Sequence, residues 1–177
     1  MPRARRVVIS VAIFVATLAF DQTTKAWARG LPVEPHGCAV PADLIAERCA
    51  GVPQTVVPGY WEWELAFNTG SAFSFVTAAG AQVVLGLIAA LALVAFGVAA
   101  ARTRPEQRLR RAAYALVAGG ALGNLVDRVR DGAVTDFVRW RVHDHVWPVF
   151  NIADAALVIG IFMLFADEMF RRRRVAT

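Results

Sequence analysis

With 177 residues, 57% of them hydrophobic, and a mean hydropathy of +0.48, the chain is too apolar for an ordinary soluble domain and too short for a large transporter. Its formal charge of +5 would suit a nucleic-acid partner, but the arginines are not spread over a polar face. Arg3, Arg5, Arg6, Arg102, Arg104, Arg108, Arg110, Arg111 and Arg171 to Arg174 flank hydrophobic runs, as topology signals do, which predicts one small multispan membrane domain and no nucleic acid.

The first run, Val7 to Phe20, continues through Asp21-Gln-Thr-Thr-Lys25-Ala-Trp-Ala28 and predicts a span over about 7–29, long enough as a helix for about 30 Å of hydrocarbon. Its basic start and Ala-Trp-Ala imitate a cleavable signal, yet Asp21, Thr24 and Lys25 in the would-be cleavage region argue for retention. Asp21 and Lys25, four apart, can meet on one helix face; the plain alternative is a solvated surface pair. Residues 30–60 carry five prolines and both cysteines, which makes an excursion outside the membrane. On an oxidising side Cys38 and Cys49 are expected to form a structural disulfide. Tyr60 to Phe67 alternates aromatic and acidic residues, as a short interfacial strand with its rings toward lipid would, and Asn68-Thr-Gly70-Ser-Ala-Phe73 reads as a tight turn.

A Gly- and Ala-rich second span is expected over 79–101, with Gly86 and Gly97 suited to close helix packing, and Pro105 ends it before the third, about 112–129. Asn124 and Asp127 share a face of that third helix. The second excursion, 130–150, holds Asp136 and the His143-Asp144-His145 cluster; adjacent loop residues seldom converge on one ion, so no metal is expected. The fourth span covers about 151–170. The fold class is therefore an all-α polytopic membrane protein of four transmembrane helices with a small β/loop element at the interface, forming a single domain over 1–177. Both termini and the 102–111 loop lie inside, so Asp21, Asn68, Asn124, Asp127, Asp136, Asn151 and Asp154 share one outer face.

An ionised carboxylate entering hydrocarbon costs about 2.5–3.5 kcal/mol on insertion scales, so Asp127, Asp136 and Asp154 need a reason. Two carboxyls where water is scarce cannot both ionise easily, which makes one an acid and the other a base. Asp154 opens the last helix, where the dipole favours an anion; Asp136 has apolar neighbours, whereas Arg128 and Arg130 would hold Asp127 ionised and structural. A proton-coupled carrier would want carboxylates stepped through the bilayer depth, and a structural subunit has no use for the polar cluster.

The blocks Asp21-x-x-Thr24-Lys25, Asn68-Thr-Gly-Ser-Ala-Phe73, Gly123-Asn-Leu-Val-Asp-Arg128, Val134-Thr-Asp-Phe137 and Phe150-Asn-Ile-Ala-Asp154, in this order over nearly the whole chain, resemble the lipoprotein signal peptidase (signal peptidase II) family of bacterial membrane aspartic peptidases. The 32–58 segment looks longer than that family's usual first outer loop. The resemblance implies an endopeptidase of the bacterial inner membrane that cuts prolipoproteins before a diacylglyceryl-modified cysteine, with Asp136 and Asp154 catalytic and no cofactor. It also implies supporting roles for Asp21, Lys25, Asn68, Gly70, Asn124, Asp127, Arg128 and Asn151, contact with membrane lipid, a monomer, and inhibition by globomycin-type cyclic peptides.

Overall fold

The computed structural model describes residues 3–70, 78–104 and 106–175. Four long helices, α1 (Arg3–Ala28), α3 (Ala78–Arg102), α4 (Arg108–Asp131) and α5 (Ile152–Val175), each of 24 to 26 residues, are about 36–39 Å long at 1.5 Å per residue. Between α1 and α3 lie β1 (Val33–Glu34), the short α2 (Ala42–Ile45), β2 (Ala50–Gly51), β3 (Gln54–Val57) and β4 (Trp61–Asn68). Between α4 and α5 lie β5 (Val134–Val142) and β6 (His145–Val146).

Two of the helices contain stretches long and apolar enough to cross a membrane, Val8–Ala28 and Val83–Arg102, with mean hydropathies of 1.3 and 2.7. Helix α4 has a different composition: charges at both ends and small residues between them, most of its middle buried. It is the helix the others pack around. Gly119 and Gly123, one turn apart, face α1, where an added Cβ would strike Thr17 and the Asp21 carboxylate, while Gly120 faces the Ala153 carbonyl of α5. This small-residue face brings three backbones close together, the packing that association in lipid favours. Gly86 and Gly97 of α3, expected to pack in this way, instead point into open space. Helix α3 has no buried residue in its apolar stretch and shows Val83, Leu87, Leu91 and Val94 to the outside.

The expected all-α class is too narrow. Strands β3-β4-β5-β6 form a four-stranded antiparallel sheet and β1-β2 a second, two-stranded one. Both sides of the β4–β5 ladder are rich in Val, Trp and Phe, which suit a half-buried pleated surface, but the two strands are some 70 residues apart, so no local pattern reveals the pairing. A bulge between Trp63 and Ala66 shifts the register: Trp63 pairs with Val138, then Ala66 with Asp136 and Asn68 with Val134. Leu65, the buried residue inside the bulge, supports the segment between α1 and β3, because Gly51 of β2 lies directly against its backbone.

The tryptophans of β4 take part in a cluster of aromatic rings. Trp61 and Trp63, both partly buried, stack edge-on (4.7 Å between centroids), and Trp63 packs on Trp27 of α1 (5.3 Å) and Phe137 of β5 (5.9 Å). These edge-on and tilted ring contacts around the buried Phe137 help to hold the sheet on the helical bundle. The acidic partners on the opposite face, Glu62 and Glu64, pair with Arg139, and Glu62 also with Arg141 (3.5 Å). Cys38 and Cys49 are joined as expected, their Cα atoms 6.5 Å apart, closing a loop that contains Pro41 and α2. Ser71, Ala72 and Phe73, the end of the predicted turn, lie outside the described residues, as do Pro105 and the side chains of Arg3 to Arg6, Arg173 and Arg174.

Candidate active site

Helix α5 begins with a reciprocal cap. Asn151 Oδ1 accepts from the Asp154 backbone N–H (2.9 Å), and Asp154 Oδ2 accepts from the Asn151 N–H (3.2 Å). This is the N-cap to N3 exchange that satisfies two otherwise orphaned donors and fixes the orientation of the N3 side chain. The next orphan, Ala153 N–H, donates to Asp21 Oδ1 of α1 (3.0 Å). Asp154 is thereby held in the first turn, where the helix dipole favours an anion, and it remains half exposed.

Asp136 reaches the same cap from the sheet. The Asn151 Nδ2 amide, itself fully buried, donates to Asp136 Oδ1 at 2.6 Å, so one residue touches both carboxylates, Asp136 through its side chain and Asp154 through its backbone N–H. Asn68 at the end of β4 adds a second hydrogen bond to the Asp136 carboxyl. It is aimed by its own turn: Asn68 Oδ1 accepts from Gly70 N–H (2.8 Å), and Gly70 has φ of 79°, a backbone that glycine adopts without strain. Asp136 is only 2% exposed. Burial first, and the neighbouring Asp154 charge second, push its carboxyl up to about 7, with the Asn151 and Asn68 hydrogen bonds and the charge of Lys25 pulling the other way. The Asp136 carboxyl is thus able to keep a proton near neutrality beside its less buried neighbour Asp154.

Asn124 connects this pair to a second, ionic cluster. Its Nδ2 donates to Asp154 Oδ1 (2.8 Å) and its Oδ1 accepts from Lys25 Nζ (2.8 Å). Lys25 also contacts Asp21 Oδ2 (2.9 Å) and Asp127 Oδ2 (3.3 Å), all three ionic side chains having no exposed surface. The surface-pair alternative for Asp21 and Lys25 is therefore wrong: the pair is buried. Of the two arginines expected beside Asp127, Arg130 approaches it and Arg128 forms no ion pair with it. Thr135 N–H donates to Asp127 Oδ2 (2.9 Å), which ties α4 to the start of β5, and Arg29 and Arg130 approach its other oxygen at 3.5 and 3.6 Å. Arg128 turns away from Asp127, donates to the Asn124 carbonyl (3.4 Å) and lies in the field of Asp154 and Asp136.

Every sequence-predicted site residue thus belongs to one connected set. Three members were missed. Gln22 donates to Asp21, the Gly123 carbonyl and Asp127; Arg29 binds Asp131 (2.8 Å) and the Thr135 hydroxyl (2.7 Å). A polar Gln beside Asp21 in an apolar run was a usable signal; for Arg29 and Thr135 nothing local was. The role of Asn151 can be separated from its cap. Asn151→Ser keeps a good N-cap and Asn151→Ala removes it, so only the alanine variant should lose the typical ~1 kcal/mol of cap stability in detergent melts. Both variants should lose activity by at least about tenfold, since neither reaches Asp136; an active serine variant would limit Asn151 to capping.

A family model described as signal peptidase (SPase) II matches residues 13–170. The chain is 37% identical over 176 residues to the lipoprotein signal peptidase of Xylella fastidiosa (strain 9a5c), covering 94% of this chain and 95% of the relative. It is 38% identical over 165 residues to that of Xanthomonas euvesicatoria pv. vesicatoria (strain 85-10), covering 89% and 86%. Among solved structures, a bacterial membrane enzyme determined by the in meso method at 1.9 Å superposes with a TM-score of 0.71 at 26% identity, covering 90% of this chain and 92% of that one.

Proposed function

The chain belongs to the signal peptidase II family, and on that premise we propose that it is a membrane-embedded aspartic endopeptidase that removes signal peptides from prolipoproteins before a diacylglyceryl-modified cysteine. The observation that carries the aspartic mechanism is the bridging of Asp136 and Asp154 by Asn151 at the mouth of α5. A water held between the two carboxyls attacks the scissile carbonyl carbon as Asp154 takes its proton, and Asp136 donates its own proton to the carbonyl oxygen. In the tetrahedral intermediate Asp136 recovers that proton as the C–O double bond re-forms, and Asp154 passes the water's proton to the departing amine. Both carboxyls end as they began, and no covalent intermediate is required.

We read all four long helices as spans, with the termini and the 102–111 loop in the cytoplasm and the dyad at the outer face of the inner membrane. The arginine clusters at the far ends of α3, α4 and α5 support this orientation. A substrate carrying two acyl chains stays in the bilayer and presents its scissile bond at the interface, which gives a reason for an aspartic peptidase to sit there. Monomeric action and inhibition by globomycin-type cyclic peptides belong to the same reading. The test is purified protein in detergent with a diacylglyceryl-modified prolipoprotein and its unmodified counterpart, the new N-terminus identified by mass spectrometry. Cleavage before the modified cysteine, with the unmodified chain left intact, is expected. Equal cleavage of both, or of neither, overturns the proposal.

A further inference from the structure

The end of the bundle remote from the dyad is formed by the last turn of α3, the first turns of α4 and the last turns of α5. A pocket of about 810 Å³ opens there, lined by Arg102, Arg104, Arg110 and Arg171 against two carboxylates, Glu106 and Asp167. Arg110 is committed: its Nε donates to Asp167 (2.7 Å) and its Nη2 to Glu168 (3.0 Å), which locks α4 to α5. Among the described residues Arg102, Arg104 and Arg171 make no ion pair, so the pocket carries uncompensated positive charge. Topology alone asks only for arginines near a membrane face; it does not ask that three helices place four of them around one concavity.

The pocket does not end in the polar zone. Arg110 and Tyr114 also line an adjoining apolar groove of about 430 Å³ with Phe96, Ile161, Leu164 and Phe165. Phe165 is 67% exposed, so the groove opens along the outer surface of the bundle. A basic concavity continuous with an apolar groove matches a molecule with an anionic head and a hydrocarbon tail, and basic pockets between spanning helices on the cytoplasmic side are built for such headgroups. The positive sign excludes the basic leading segment of a signal peptide as the occupant. We propose that this pocket binds an anionic phospholipid, its phosphate held by Arg102, Arg104 and Arg171 and one acyl chain lying along the Phe96–Phe165 groove. The lipid would brace α3, which has little buried surface of its own, against α4 and α5.

The test is native mass spectrometry of the full-length protein in a neutral detergent, titrated with dioleoylphosphatidylglycerol, dioleoylphosphatidylcholine or inorganic phosphate. Wild type should retain the glycerol lipid in preference to the choline lipid. The Arg102→Gln/Arg104→Gln/Arg171→Gln variant should bind it roughly a hundredfold more weakly, at about fivefold per surface arginine. The single variant Arg104→Gln, at an exposed position, should lose several-fold and guards against a folding failure of the triple. Equal retention of both lipids, unchanged binding by the variants, or displacement of the lipid by millimolar phosphate would each overturn the assignment, the last by showing a site for a free anion.

Discussion

Asp136→Asn and Asp154→Asn are each expected to abolish prolipoprotein cleavage, with a loss of at least about 10²–10⁴-fold, the range that a positioned proton donor or acceptor contributes. The amide is nearly isosteric in both places. At position 154 its oxygen can still accept from the Asn151 N–H, so the α5 cap survives; at position 136 its NH₂ can donate a hydrogen bond but cannot release a proton to the carbonyl oxygen. Asp127→Asn is the comparison. It loosens the tie to Thr135 N–H and to Lys25, so it should lower the melting temperature while leaving a measurable turnover. A dead Asp127→Asn beside an active Asp136→Asn would reverse the assignment of the dyad.

The Asp136 proton also sets a pH dependence in two observables. Its carboxyl is pushed up to about 7 in the fold from the ordinary value of 3.8, so the acid form is lost as pH passes about 7 and kcat/KM should fall on that alkaline limb. For stability the raised value means that the folded state binds more protons than the unfolded chain between these two values. The contribution is fully present below about pH 4 and lost as pH rises through about 7, on the order of a few kcal/mol for a group this buried. Wild type should therefore melt at a lower temperature at pH 8 than at pH 5. Asp136→Asn should flatten that difference and melt above wild type at pH 8. A pH-independent gap between the two proteins would mean that Asp136 is ionised throughout.

Lys25→Met is expected to be the most destabilising single change, by about 3–5 kcal/mol, because it leaves the buried Asp21 carboxylate without its cation and Asp127 with only the more distant Arg29 and Arg130. Three donors of the ammonium meet three acceptors, and among the described residues no other cation reaches the Asp21 carboxylate; Arg29 and Arg130 pair with Asp127 and Asp131 instead. The effect should reach the reaction as well, since Asn124 accepts from Lys25 and donates to Asp154. The double variant Lys25→Met/Asp21→Asn removes one charge of each sign and should recover part of the melting temperature. An unchanged melting point for Lys25→Met, measured in detergent, would show that the cluster is neutral or hydrated.

Much of this architecture was readable from one dimension. The lengths of the apolar runs, the arginines at their ends and the turn residues located four long helices and two interruptions, because these properties are local and additive along the chain. Asp136 stood out for a related reason: a carboxylate in apolar surroundings is costly wherever it folds, and Asp136 is flanked by Val134, Phe137 and Val138.

The contacts that give those residues their chemistry were not local. Lys25 and Asn124 are 99 positions apart, Asp21 and Ala153 132, Asn151 and Asp136 15 across a strand and a turn. Which way β4 faces depends on a bulge and on a partner strand some 70 residues later, and the glycines that matter for packing, Gly119 and Gly123, differ from Gly86 and Gly97 only in what lies opposite them. By itself the sequence determined which segments leave water and which polar groups would be unusual there. Only the tertiary structure decided which cation, amide or backbone N–H meets each of those groups, because a hydrogen bond or ion pair has energy only at about 3 Å, a distance that folding sets and chain position does not.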